Sequence, residues 1–177
     1  KDELALSNTP VESESLSANQ KTTVFEVTPI MSTYLLAFVV GELSYLEATS
    51  KKGVKIRTYA TSEQIEHSTF ALETAVKCMD FYEDYYDIPF PLAKCDFVAL
   101  PDFASGAMEN WGLITFREQT LLCDENHTSL GTKQYVALVV AHELTHQWFG
   151  NLVTMRWWTD LWLNEGFASW MEYLAVD

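Results

Sequence analysis

Cysteine is scarce in this chain: its three cysteines, Cys78, Cys95 and Cys123, stand far apart with no CxxC pair. That number and spacing exclude a disulfide framework, argue against thiolate metal sites and point to a reducing, cytoplasmic setting. Basic residues are short as well, with 11 Lys and Arg against 25 Asp and Glu and a net charge of −14. So acidic a surface repels phosphate backbones and anionic lipid headgroups, which sets aside nucleic acid and such membranes as partners. Long hydrophobic runs are missing too. The longest, over residues 34 to 40, falls far short of the ~20 residues of a membrane-spanning helix and reads as a buried strand. There is no internal repeat, low-complexity tract or signal-peptide pattern.

What is present is apolar enough to fold. The chain has 177 residues, 48% of them hydrophobic, which suits one domain, or one domain with a piece of another. It opens without an initiating Met and stops at Asp177 directly after a helical pattern, as a segment of a longer polypeptide would. Residues 1 to 20 are rich in Ser, Glu and Asn without periodicity, which predicts a loop or frayed edge. Residues 23 to 27, 34 to 40 and 54 to 59 read as strands, with Gly53 marking a turn. At Thr61 the period changes. Ile65, Leu72, Val76, Met79, Tyr82 and Tyr86 share one helical stripe, Thr61 and Gln64 suit a capping box, and Pro89 and Pro91 end the pattern. Residues 94 to 100 and 113 to 116 then read as strands around a loop. The expected class is therefore α+β. A boundary is placed near residues 60 to 62, with 1–60 the last strands of a β-rich domain and 61–177 the first part of a second one.

The chemistry is concentrated in HELTH at residues 142 to 146. On a helix, His142 and His146 leave one face a turn apart and can grip a single ion. Glu143 projects from nearly the same side, close enough to act on a water at that ion without being a ligand. Nineteen residues after His146 comes Glu165, at the start of another helical pattern, a candidate third ligand. Two nitrogens and one carboxylate leave a tetrahedral position open, as at a catalytic zinc. The alternative is a chance pentapeptide on a charged helix. Against it, the flank KQYVALVVAHELTHQWFG is apolar almost all round, and buried His and Glu need partners or an ion.

A second motif, Gly106, Ala107, Met108, Glu109 and Asn110, lies between the last two expected strands. A Gly-Ala pair allows close backbone approach, so an extended peptide could add there as an extra strand. Glu109 would then meet the cationic end of that peptide. The bland alternative is a hairpin with Glu109 in water. Weaker expectations attach to other residues: Glu172 returns to the face of Glu165 and either steadies a ligand His or is solvated. Trp148, Trp157, Trp158, Trp162 and Trp170 surround the motif as packing that keeps it dry. Asn164 caps or orients the turn at Glu165, and His67 and His127 sit in polar contexts as solvated residues.

GAMEN, then HELTH, then Glu165 within WLNEGFA resembles the gluzincin aminopeptidase family, of the aminopeptidase N and puromycin-sensitive aminopeptidase type. The likeness runs over about residues 21 to 177 and includes TPIMSTYLLAF. It implies a β-rich N-terminal domain followed by a thermolysin-like catalytic domain. It also implies one Zn2+ held by His142, His146 and Glu165, with Glu143 as general base, and Gly106, Ala107, Met108, Glu109 and Asn110 as the substrate-binding strand. The implied substrates are peptides with a free N-terminus, cut one residue at a time. The family's transition-state Tyr lies beyond Asp177, and a second amine-binding residue lies outside this segment. The rest of the polypeptide is thus expected to complete the site, and the activity of the segment on its own stays open. Alternatives are an epoxide-hydrolase relative acting on a lipid, which typically has Gly at the position of Ala107, and a non-catalytic binding relative, which would show decay at the metal or base positions.

Overall fold

The computed structural model describes residues 3–124 and 126–177. In chain order the first strands are β1 Leu4–Ser7, β2 Val11–Ser17, β3 Gln20–Phe25 and β4 Phe38–Gly41. The strands β5 Ser44–Thr49 and β6 Lys55–Ala60 precede helix α1 Thr69–Tyr85. Then come β7 Lys94–Leu100, β8 Ala107–Met108 and β9 Leu113–Arg117, followed by helices α2 Leu130–His146 and α3 Trp162–Val176.

The central sheet has the order β5-β6-β7-β9-β8. Its middle is parallel, β6 against β7 and β7 against β9, while β5 and β8 run antiparallel at the two edges. A parallel strand covered on both faces needs no polar side, and β7 accordingly is buried almost throughout. Alternation along the strands sorts two cores onto opposite faces. On one face Ile56, Phe97, Ile114 and Phe116 meet Met79, Tyr82, Val140 and Leu144 of the helices. On the other, Tyr59, Val98 and Leu113 pack against Leu6 of β1. Each such large side chain contributes about 1.5–3 kcal/mol by leaving water. Helix α2 packs against both α1 and α3, and α1 lies on β5 and β6. Sheets and helices together agree with the expected α+β class.

Several local expectations are corrected. Residues 34 to 40 are not one buried strand: a 3-10 turn over Thr33–Leu35 buries Leu35, and β4 follows as a half-exposed partner of β1 with Phe38 76% exposed. Nor are residues 4 to 17 a loop, since they form β1 and β2 and supply Asn8, which is buried at 1% exposure. The capping box at Thr61 and Gln64 does not form. Instead the Gln64 N–H donates to the Thr61 carbonyl, a 3-10 segment runs over Ile65–Ser68, and α1 starts at Thr69. Tertiary anchoring overrides the local motif, because Ser68 Oγ bonds the Ile65 carbonyl and Thr58 Oγ on β6, both at 2.7 Å. The sheet also continues across residues 60 to 62, joining β5 and β6 to β7.

Candidate active site

Helix α2 starts on Ser129, whose Oγ accepts the Thr132 N–H at 3.1 Å and so satisfies one orphan donor of the first turn. Its last turns are enclosed: Val140, Ala141 and Leu144 are fully buried. The Tyr82 hydroxyl of α1 reaches the Ala141 carbonyl at 3.0 Å and the Met171 carbonyl of α3 at 3.3 Å. This places the HELTH turn of α2 against the first half of α3, which carries Glu165.

There the two imidazoles converge. His142 Nε2 and His146 Nε2 are 3.1 Å apart, and Glu165 Oε2 lies 3.4 Å from the first and 3.6 Å from the second. The other ring nitrogens are committed. His142 Nδ1 faces Glu172 Oε2 at 2.6 Å and His146 Nδ1 donates to the Phe149 carbonyl at 3.0 Å. Both acceptors demand a proton on Nδ1, so in the neutral rings both Nε2 lone pairs point at each other and at a carboxylate. Three acceptors facing one point suit a cation between them. A tetrahedral ion with bonds of 2.0–2.1 Å would set its ligands about 3.3 Å apart, close to the triangle observed. Glu165 is 49% exposed on its side chain, which leaves the fourth direction open. The donor set therefore fits a divalent metal, and the expectation that Glu172 steadies His142 is met by contact.

Electrostatics agree with the crowding of acids. Burial works against a charged His142, yet Glu165, Glu143 and Glu172 outweigh it and raise its pKa to about 9. Hydrogen bonds from His142 and His146 hold Glu165 well below the usual carboxylate range. Glu143 is 6% exposed and its Oε2 finds no hydrogen-bond partner among the described residues. Burial pushes this carboxyl up to about 7, with His146 opposing and Glu109 adding to the rise. A proton acceptor with a pKa near neutrality is tuned for transfer in both directions.

The second motif forms the edge of the sheet. Ala107 and Met108 pair with Phe116 and Thr115 of β9, and no strand among the described residues pairs with the opposite edge of β8. Gly106, Ala107, Tyr135, His142, Glu143 and Tyr173 line one cleft beside it. Glu109 is 7% exposed, so the hairpin with Glu109 in water is ruled out. Its backbone carbonyl accepts from Gln147 Nε2 at 3.2 Å and Asn151 Nδ2 at 2.9 Å. Asn110 Oδ1 accepts from Thr115 Oγ at 3.0 Å and its Nδ2 donates to the Leu35 carbonyl at 3.3 Å. Gln147 and Asn151 were not singled out from the sequence. Their only signal is that two amides follow HELTH directly in a run otherwise aromatic and apolar.

Other expectations divide. Asn164 is buried beside Glu165, and its Nδ2 lies 3.5 Å from the Tyr34 hydroxyl. Trp148 is buried, but Trp157, Trp158, Trp162 and Trp170 are 48–67% exposed and do not seal the site in this chain. His127 is exposed and His67 half-buried, and both face Asp124.

The peptidase family M1 domain profile matches residues 70–177. The chain is 56% identical over 174 residues to "Aminopeptidase M1-C" of Oryza sativa subsp. japonica, covering 98% of this chain and 20% of that protein. It is likewise 56% identical over 174 residues to "Puromycin-sensitive aminopeptidase" of Caenorhabditis elegans, covering 97% and 18%. To "Endoplasmic reticulum aminopeptidase 1" of Mus musculus it is 50% identical over 174 residues, covering 98% and 19%. The chain thus spans about a fifth of the length of the curated relatives it matches. A profile match over most of the chain, together with identity of this order through both motifs, means that the chain belongs to peptidase family M1.

Proposed function

We propose that the full-length protein is a zinc-dependent aminopeptidase that removes single residues from peptides with a free N-terminus. The observation that carries this reading is the convergence of His142, His146 and Glu165 beside Glu143, whose Oε2 has no partner among the described residues, with Glu109 buried just past the adjoining edge strand. His142, His146 and Glu165 would hold a zinc ion, which would supply Lewis-acid chemistry, lowering the pKa of a water towards about 7 and polarising a carbonyl. The remaining steps belong to the chain. Glu143 takes a proton from water as its oxygen bonds the scissile carbonyl carbon, then passes that proton to the amine nitrogen as the C–N bond breaks. The outer edge of β8 offers backbone groups to an extended peptide. Glu109 pairs with the peptide's α-ammonium, and its fixed distance from the metal ligands measures off one residue.

Within this reading, residues 1–60 are the end of a β-rich domain and residues 61–177 the first part of a thermolysin-like catalytic domain, with β5 and β6 carrying the sheet across the junction. The rest of the polypeptide completes the site. A cytoplasmic setting is also proposed, supported by Cys78, Cys95 and Cys123 all being buried free thiols. No helix among the described residues is long and apolar enough to cross a membrane.

The test is hydrolysis of a free dipeptide and its N-acetylated twin by the full-length protein, with and without a zinc chelator. Chelator-sensitive cleavage of the free peptide alone is expected, and Glu143→Gln should keep its metal while losing turnover by ~2 orders of magnitude or more. Cleavage of both peptides would make the protein an endopeptidase. Cleavage of neither by zinc-loaded protein would remove the peptidase reading.

A further inference from the structure

Helix α2 ends in an amide that is wholly enclosed. Gln147, the residue after His146, is 0% exposed, and its side-chain hydrogen bonds go to backbone groups. Its Oε1 accepts the Gly112 N–H at 3.0 Å, while its Nε2 donates to the Glu109 and Glu143 carbonyls, each at 3.2 Å. One amide therefore touches the backbone of Glu143, of the buried acid of the second motif and of the turn that follows that motif. The turn is fixed on its far side. There the Asn110 carbonyl accepts the Leu113 N–H at 3.0 Å, and the Gly112 carbonyl accepts from the Asp96 N–H at 3.0 Å and from Lys94 Nζ at 2.9 Å. Its near side rests on the end of α2 and the loop beyond it. Asn151 Nδ2 adds a second bond to the Glu109 carbonyl at 2.9 Å, so both lone pairs of that oxygen are taken by side chains that follow His146 directly in the chain. Glu109 lies one residue beyond the β8 ladder, and these two amides hold its carbonyl.

We propose that Gln147 is a positioning residue that sets the register of the substrate-binding strand against the metal ligands. The inference rests on the reading of Glu109 as the group that pairs with a substrate's free amine. A peptide is then held at two points, its ammonium at Glu109 and its scissile carbonyl at the metal, and the cut falls after one residue only while the gap between them is constant. The two motifs lie on different elements, so chain spacing does not fix that gap. The Gln147 amide does. It is attached next to His146 and grips the two ends of the Glu109–Gly112 segment through a donor and an acceptor at once, so the strand end cannot slide along the helix without breaking both bonds. At 0% exposure water does not replace a lost partner, and each broken bond leaves a buried backbone group unsatisfied. Gln147 meets neither water nor peptide and acts on the substrate through Glu109.

The experiment uses the full-length, zinc-loaded protein and compares two inhibitors. Alanine hydroxamate carries a metal-binding group and a free α-amine and so spans both points, whereas acetohydroxamate carries the metal-binding group alone. Inhibition constants are measured for wild type, Glu109→Ala and two variants of Gln147. Gln147→Met keeps the side-chain length without the bonds, and Gln147→Glu keeps the acceptor for Gly112 while setting a second acceptor against the Glu109 carbonyl. Both Gln147 variants are expected to bind alanine hydroxamate about tenfold more weakly with acetohydroxamate within about threefold of wild type, because two-point binding is lost when the spacing forbids simultaneous contact. An inhibition constant does not depend on the fraction of enzyme that is folded, so a destabilised variant still reports on the register. Wild-type binding of alanine hydroxamate by either Gln147 variant, with Glu109→Ala impaired, would overturn the proposal and leave the anchor standing. Equal weakening of the two inhibitors would also overturn it, since Gln147 would then support the metal site alone. Should Glu109→Ala bind alanine hydroxamate as wild type does, the anchor reading itself fails and this inference goes with it.

Discussion

Glu172 shows how much a single carboxylate can contribute at a distance from the reaction. At 2.6 Å from His142 Nδ1 it selects the tautomer that frees Nε2 and fixes the ring plane. Glu172→Ala is expected to weaken zinc affinity by about 10–100-fold, read by competition with a chelator of known affinity. An unchanged affinity would show that the helix alone orients His142. At this scale His142, Glu143, His146 and Glu165 were legible because a helix turns spacing into direction. Gln147, Asn151 and Tyr34 were not. Each hydrogen-bonds a group remote in the chain, and nothing in the spacing of a sequence records such a bond. Glu109 was legible as a motif member, but its burial came from the sheet edge and from the two amides beneath it.

Elements are held in place by a few buried polar ties as well as by the apolar core. Lys94 and Asp96, both on β7, form an ion pair of 2.7 Å with side chains only 5% and 3% exposed. The Lys94 ammonium also donates to the Gly112 carbonyl at 2.9 Å and to the Ser7 carbonyl. One side chain thus joins β1, β7 and the turn that leads into β9. Burial lowers the pKa of Lys94 and raises that of Asp96, and each partner pulls the other back. Lys94→Met would leave Asp96 as an uncompensated buried charge and is expected to cost about 3–5 kcal/mol of stability in urea unfolding. Pairing it with Asp96→Leu should restore much of that loss, because replacing a buried ion pair by apolar groups is close to neutral. Element types followed well from periodicity where a segment serves one face, as in α1, whose Leu72, Met79 and Tyr82 are buried. They followed poorly for residues 34 to 40, whose continuous apolar run looked like a core strand. In fact Leu35 faces the core, while Phe38 and Val40 stand on a two-stranded edge.

Across the whole molecule, the first sixty residues are part of the architecture of the site. β5 and β6 supply half of the support for β7, while Asn8 and Leu35 brace the Asn110–Gly112 turn. A chain starting at residue 61 would leave β7 with an unpaired edge and expose Phe97 and Val98. Compared with residues 1–177, it is expected to lose soluble yield and near-ultraviolet circular dichroism. Equal behaviour of the two would mean that the sheet does not depend on β5 and β6. Trp157, Trp162 and Trp170 stand exposed on a chain that spans about a fifth of its relatives' length. The sequence by itself determined the spacing of His142, His146 and Glu165, the place of Glu143 between the two histidines and the order of the two motifs, since these depend only on helix pitch and chain order. Only the tertiary structure decided that Glu109 is buried, that Glu172 grips His142 and that the Tyr34 hydroxyl comes to Asn164. Those contacts arise when a mixed sheet and three helices bring distant segments together, and no local rule of pitch or pleat encodes the meeting.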